Sequence, residues 1–182
     1  MIVLEESGLR FEFDDETPFW PWIIYADKDL DFEKVKKVVM GTKSADFIGL
    51  YESDGLQEAI LMEVKNYVDE SDLPDKELGI IESLTQKIRD SLAVVVGANR
   101  NSTHNLDAYK NWLRVAISPE SRLLVIFWLD FPKNWNDRKL KSTKGIFRKT
   151  LQQKLKWLTS KVWVIGMDDY TEFLNGINVT KA

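Results

Sequence analysis

The chain has no cysteine, so disulfide staples, thiol nucleophiles and thiolate metal sites are excluded by count. A single histidine, His104, rules out polyhistidine metal sites, and a Ser/His/Asp triad would have to use that one residue. It lies in the polar stretch NRNSTHNLD, the setting of an ordinary loop histidine. No stretch approaches the ~18 uninterrupted apolar residues of a membrane span. The opening MIVLEESGLRFEFDD lacks a basic segment followed by an apolar one. A cytoplasmic location with no membrane partner is therefore the expectation. There is also no internal repeat and no low-complexity linker.

What is present suits a folded chain. Hydrophobic residues make up 44% and charged residues 30%, a balance far from the low hydrophobicity that keeps a segment disordered. With 182 residues one core is the default, so a single domain spanning 1–182 is expected. Its parts are a β extension over 1–30, a helix, hairpin and second helix over 31–97, and a β-α-β part over 98–182.

In the first part, GLRFEF alternates as a half-buried strand does, and WPWIIYA is a second apolar run whose Pro21 suggests an edge or a strand start. Asp31 followed by FEKVKKVVM reads as an N-capped helix with Phe32, Val35, Val38 and Val39 on one face, stopped at Gly41. Asp54-Gly55 is a hairpin signal, so Phe47 to Tyr51 and Glu58 to Lys65 should pair antiparallel. Strand parity then puts Ala59, Leu61, Glu63 and Lys65 on one face and Ile60, Met62 and Val64 on the other.

Downstream, Ile81, Leu84, Ile88, Leu92 and Val95 have the spacing of an amphipathic helix ending near Gly97. AYKNWLRVAI reads as a helix or a mixed segment. RLLVIFWLD is a continuous apolar run, as in a strand covered on both faces, and KVWVIGM resembles it. The helical TKGIFRKTLQQKLKWLT between them completes a β-α-β passage. The expected architecture is α/β, a mixed central sheet flanked by helices.

The hairpin carries the chemistry. Asp46 precedes its first strand, and Glu63 and Lys65 end its second, so antiparallel pairing brings the three together. Two carboxylates are hard ligands for Mg²⁺ or Mn²⁺, and the carbonyl of Val64 could add a third oxygen. A metal there would polarise a phosphoryl oxygen and acidify a bound water, while Lys65 orients or deprotonates that water or neutralises the phosphate. An acid and a lysine two apart on a strand also make an ordinary solvated ion pair, which is the plainer alternative.

Ala45-Asp46, the Asp54-Gly55 turn and Glu63-Val64-Lys65 resemble the D-(x)n-(D/E)xK signature of the PD-(D/E)xK nucleases, with 17 residues from Asp46 to Glu63. Ala45 stands where the usual proline would be. The resemblance implies a restriction-endonuclease-like core with the N-terminal stretch as an extension, Asp46 and Glu63 binding Mg²⁺ or Mn²⁺, and Lys65 assisting the attacking water. It also implies a further acid ligand from the preceding helix, for which Glu33 is the candidate. The stretch TQKIRDSLA is similar to the following helix of some bacterial proteins of this type, which makes Gln86 and Arg89 additional site candidates. The resemblance covers Asp31 to Gly97, about a third of the chain.

Net charge is −4, yet Lys133 to Lys161 holds ten Lys or Arg against one acid, Asp137, so that segment is +9 and the remainder −13. At helical spacing Lys141, Lys144, Arg148 and Lys149 fall towards one side, away from Phe147, Leu151, Leu155 and Leu158. A solvated face is one reading, and contact with a phosphate backbone the other. Trp128 and Trp163 lie in apolar strands and read as core rather than as stacking platforms. The function expected is a divalent-metal-dependent nuclease whose partner is nucleic acid, DNA before RNA, with a homodimer left open. The alternatives are a non-catalytic binding module of the same fold and a hydrolase of smaller phosphoesters.

Overall fold

In the computed structural model, residues 1–15, 19–53, 55–68, 73–102 and 104–182 are described. The chain runs β1 (Ile2–Glu6), β2 (Leu9–Phe13), β3 (Trp22–Tyr25), α1 (Leu30–Val38), β4 (Phe47–Ser53), β5 (Leu56–Asn66), α2 (Leu73–Asn101), α3 (Leu106–Ile117), β6 (Arg122–Asp130), α4 (Asp137–Leu155), β7 (Lys161–Ile165) and β8 (Ile177–Lys181). Five strands form a mixed sheet in the order β3-β4-β5-β6-β7, antiparallel from β3 to β5 and parallel from β5 to β7.

The register Ser53↔Leu56 leaves a two-residue connection between β4 and β5, with Gly55 at φ 74. Asp54, the other half of the expected turn signal, lies outside the described residues. Parity is as expected on β5: Ala59 and Leu61 pack under the helices, while Ile60, Met62 and Val64 face the other way. β6 is buried from Leu123 to Leu129, so both of its faces are covered. On one side lie Ile81, Leu84 and Ile88 of α2, Trp112 of α3 and Phe147 of α4. On the other lie Leu9, Phe11 and Phe13 of β2 and Val179 of β8. Burying a side chain such as Phe127 completely is worth about 1.5–3 kcal/mol, and these two layers of apolar contact hold the sheet between them.

The second sheet, β1-β2-β8, is antiparallel throughout and settles a pairing that the sequence left open. GLRFEF and WPWIIYA do not pair with each other. The first joins β1 and β8, and the second supplies β3, the edge of the large sheet, directly after Pro21. The N-terminal stretch is thus stitched to the far end of the chain, Leu9 opposite Lys181 and Phe13 opposite Ile177. Ser7 and Gly8, at φ 54 and 74, make the β1–β2 turn, with positive φ at both central positions.

Helix limits also shift. α1 is capped by Asp29, not Asp31, because Asp29 Oδ1 accepts from the amides of Asp31 (2.9 Å) and Phe32 (3.4 Å). Phe32 is buried, but Val38 and Val39 are exposed rather than continuing the apolar face. α2 passes through Gly97 to Asn101, a tolerated glycine rather than a stop. α4 starts at Asp137, where the side chain of Asn136 accepts from the Lys139 amide. Trp128 is fully buried as expected, whereas Trp163 is only half-buried.

Candidate metal centre

Asp46 sits just before β4, and its Oδ2 accepts from the backbone amide of Val64 at 2.7 Å. The side chain thereby takes over a ladder bond and is fixed beside the end of β5. Glu63 points to the helix side of the sheet and is fully buried, as Asp46 nearly is. Lys65, two residues on and on the same face, brings Nζ to 2.9 Å from Glu63 Oε1 and 4.0 Å from Asp46 Oδ2. Asp46, Glu63 and Lys65 therefore form one cluster, as strand parity and hairpin register required.

A fourth member comes from α2. Lys87 places Nζ 2.6 Å from Glu63 Oε1 and 3.6 Å from Asp46 Oδ1. Its neighbours Gln86 and Arg89, the candidates on this helix by resemblance, point elsewhere. Lys87 falls three residues after Leu84 and one before Ile88, inside the buried stripe of the helix, and a lysine in such a stripe signals a buried carboxylate partner.

The carbonyl of Val64 is aimed at the same place, accepting from Lys65 Nζ (2.9 Å) and from Ser7 Oγ (3.3 Å). Ser7 belongs to the β1–β2 turn, so the small sheet closes one side of the centre. Glu6, beside it, holds the hydroxyls of Ser7 and Tyr25. Among the described residues no third acid or histidine joins Asp46 and Glu63 as a metal-ligating group.

The electrostatics follow from burial. Desolvation, reinforced by the charge of Glu63, raises the Asp46 carboxyl from 3.8 to about 7, against the pull of Lys87, Lys65 and the Val64 amide. Burial works against the Lys65 ammonium, but Glu63 and Asp46 outweigh it, and the lysine binds its proton more firmly than usual. Between these carboxylates Lys65 is a fixed positive charge rather than a base. Glu63 Oε2 is buried, and among the described residues no group donates a hydrogen bond to it. A buried carboxylate oxygen left without a donor is costly, and it marks a place where a cation would be accommodated.

The remaining candidates lie elsewhere. Glu33 stands on the exposed side of α1 and pairs with Lys37 at 3.8 Å. Gln86 donates to the Gly41 carbonyl (3.0 Å) and to Asp90 Oδ2 (3.3 Å), bridging α2 to the end of α1. Arg89 is exposed and bonds Asp90. On α4, Lys141, Arg148 and Lys149 are exposed, but Lys144 is mostly covered and pairs with Asp169 at 3.0 Å. At about 100° per residue Lys149 also lies well round the helix from Lys141 and Arg148, so the four do not make one face.

Lys133 and Lys144 line a cleft of about 440 Å³ at the carboxyl ends of the parallel strands, together with Asp130 and Trp135. Asn66, the residue after Lys65 at the end of β5, lines it too, while Asp46, Glu63, Lys65 and Lys87 do not. His104 is an exposed residue ahead of α3. No helix among the described residues is long and apolar enough to cross a membrane. No family model matches the chain, and no curated protein or solved structure is significantly similar to it.

Proposed function

We propose that the chain is a divalent-metal-dependent phosphodiesterase acting on nucleic acid, with Asp46, Glu63 and the Val64 carbonyl as the ligands of Mg²⁺ or Mn²⁺. The observation that carries this reading is the buried Oε2 of Glu63, to which nothing among the described residues donates, next to Asp46 and a strand-end carbonyl. These are hard oxygen donors, the set that suits such ions. The resemblance to PD-(D/E)xK nucleases, with a restriction-endonuclease-like core, is supported by the clustering of its three signature residues on an α/β sheet. A cytoplasmic setting goes with it.

Such a metal supplies Lewis acidity and a more acidic bound water. The protein's own groups do the rest. Asp46, locked to the Val64 amide, and Glu63, walled in by α2, orient the oxygens. Lys65 and Lys87 present two positive charges where negative charge builds up on the phosphate. Lys133 and the exposed basic residues of α4 hold the backbone on either side of the scissile bond.

A second reading also has an observation behind it: Lys65 and Lys87 already neutralise both carboxylates, which suits a structural ion cluster in a non-catalytic binding module. A cleavage assay on single- and double-stranded DNA and RNA with Mg²⁺ or Mn²⁺ separates the two. Cleavage that is lost in Lys65→Ala supports the enzyme; no cleavage of any substrate with either ion supports the binding module.

A further inference from the structure

Two carboxylates and two ammoniums meet at the end of β5, so the centre is formally neutral without any metal. The two lysines are not equivalent. Lys65 is 31% exposed, sits beside Glu63 at 2.9 Å with Asp46 only at 4.0 Å, and so borders the pair from the solvent side. Lys87 is 17% exposed and bridges the two carboxylates, with its hydrogen bond going to Glu63. Its backbone lies well inside α2, so only the side chain can withdraw.

A divalent cation drawing on both carboxylates needs the position and the compensating charge that this ammonium now supplies. The two cannot share so small a volume, because like charges in a desolvated site repel strongly. The lysine head group is compact and strongly hydrated, and its flexible stem lets it move towards water or a new anion.

We propose that Lys87 is the resident counter-cation of the Asp46–Glu63 pair, so that a divalent metal enters by displacing its ammonium and a phosphodiester favours the exchange by receiving it. The inference rests on the metal-dependent reading of the centre. Metal and phosphodiester then bind cooperatively, each raising the affinity of the other by the same factor. Lys87 is a positioning residue in this scheme, holding the centre closed until an anionic ligand arrives.

The test is Mn²⁺ binding to the full chain, followed by the loss of the free-ion electron paramagnetic resonance signal. Parent, Lys87→Met and Lys87→Gln are compared with and without a cleavage-resistant phosphorothioate oligonucleotide. The glutamine keeps a donor for Glu63 without the charge, so it decides the matter if the methionine variant does not fold. The parent should bind Mn²⁺ weakly alone and roughly tenfold more tightly with the oligonucleotide, an ordinary size for coupling between two ligands. The variants should bind Mn²⁺ alone roughly tenfold more tightly than the parent and gain less from the oligonucleotide. Variants that bind Mn²⁺ no better than a parent that does bind it would overturn the counter-cation role and leave the metal centre standing. If none of the three proteins binds Mn²⁺ under either condition, the metal-dependent reading fails, and this inference with it.

Discussion

Asp46 is held by a backbone amide at one oxygen and faces Lys87 at the other, yet its buried position beside Glu63 still disfavours its charge. Its pKa is near 3.8 unfolded and about 7 folded, so between those values the folded chain binds a proton that the unfolded chain does not. The stability tied to that proton is complete below about pH 4 and is lost as the pH rises through 7. Asp46→Asn removes the titration. Without metal, the variant should gain on the parent from pH 5 to pH 8, by at most about 1.4 kcal/mol per pH unit. Urea denaturation of both proteins across that range checks this, and parallel pH profiles would contradict it. Millimolar Mn²⁺ at pH 8 should raise the parent's melting temperature by mass action and the variant's far less, because the ion needs the ionised pair.

At the scale of elements, Asp29 does more than start a helix. Besides capping α1 it accepts from Tyr109 Oη (2.7 Å) and Asn105 Nδ2 (3.0 Å), tying α1 to α3 over the edge of the large sheet. Asp29→Ala should therefore cost more than an ordinary cap, about 2–3 kcal/mol, while Tyr109→Phe should cost about 1 kcal/mol. Equilibrium unfolding measures both, and an Asp29→Ala loss within 0.5 kcal/mol, roughly the scatter of surface changes, would reduce this residue to an exposed loop acid.

The sequence hid this joint because DKDLD offers three aspartates with the same capping chemistry, and a contact with Tyr109 selects among them. Similar reasons separate what was legible from what was not. β5 could be read because its parity is local, and β6 because seven successive buried residues leave no other strand-like reading. That placed Asp46, Glu63 and Lys65 together. β8 could not be read, since its partner β2 lies at the other end of the chain and its alternation is only two apolar residues long, Ile177 and Val179. Lys87 escaped because its charge suggests solvent, and only its place in the buried stripe of α2 argues otherwise.

On the scale of the whole molecule, a net charge of −4 hides a segment of +9, and the fold puts the start of that segment at the carboxyl end of β6, the strand next to β5. α4 begins just after the carboxyl end of β6, and Lys133 reaches the cleft that Asn66 also lines. An anionic strand lying there would be attracted on one side and repelled by the acidic remainder on the other, which orients it as well as binding it. Lys144 is a poor contact for such a strand because Asp169 already holds it, so Lys141, Arg148 and Lys149 are the residues to test. All three are exposed and none joins the buried face of Thr143, Phe147, Leu151 and Leu155, so replacing them by alanine should change stability by no more than about 0.5 kcal/mol each. If each makes one phosphate contact, the triple variant should flatten the slope of log K against log salt by roughly 2 to 3 units, since each neutralised phosphate contributes about 0.7 to 0.9. The loss should be similar across sequences, because phosphate contacts position a strand without reading it. Fluorescence anisotropy with labelled DNA and RNA over a salt series measures the slope. An unchanged slope and affinity in the triple variant would make these three positions of α4 solvated surface and leave phosphate binding to Lys133 and the lysines of the centre.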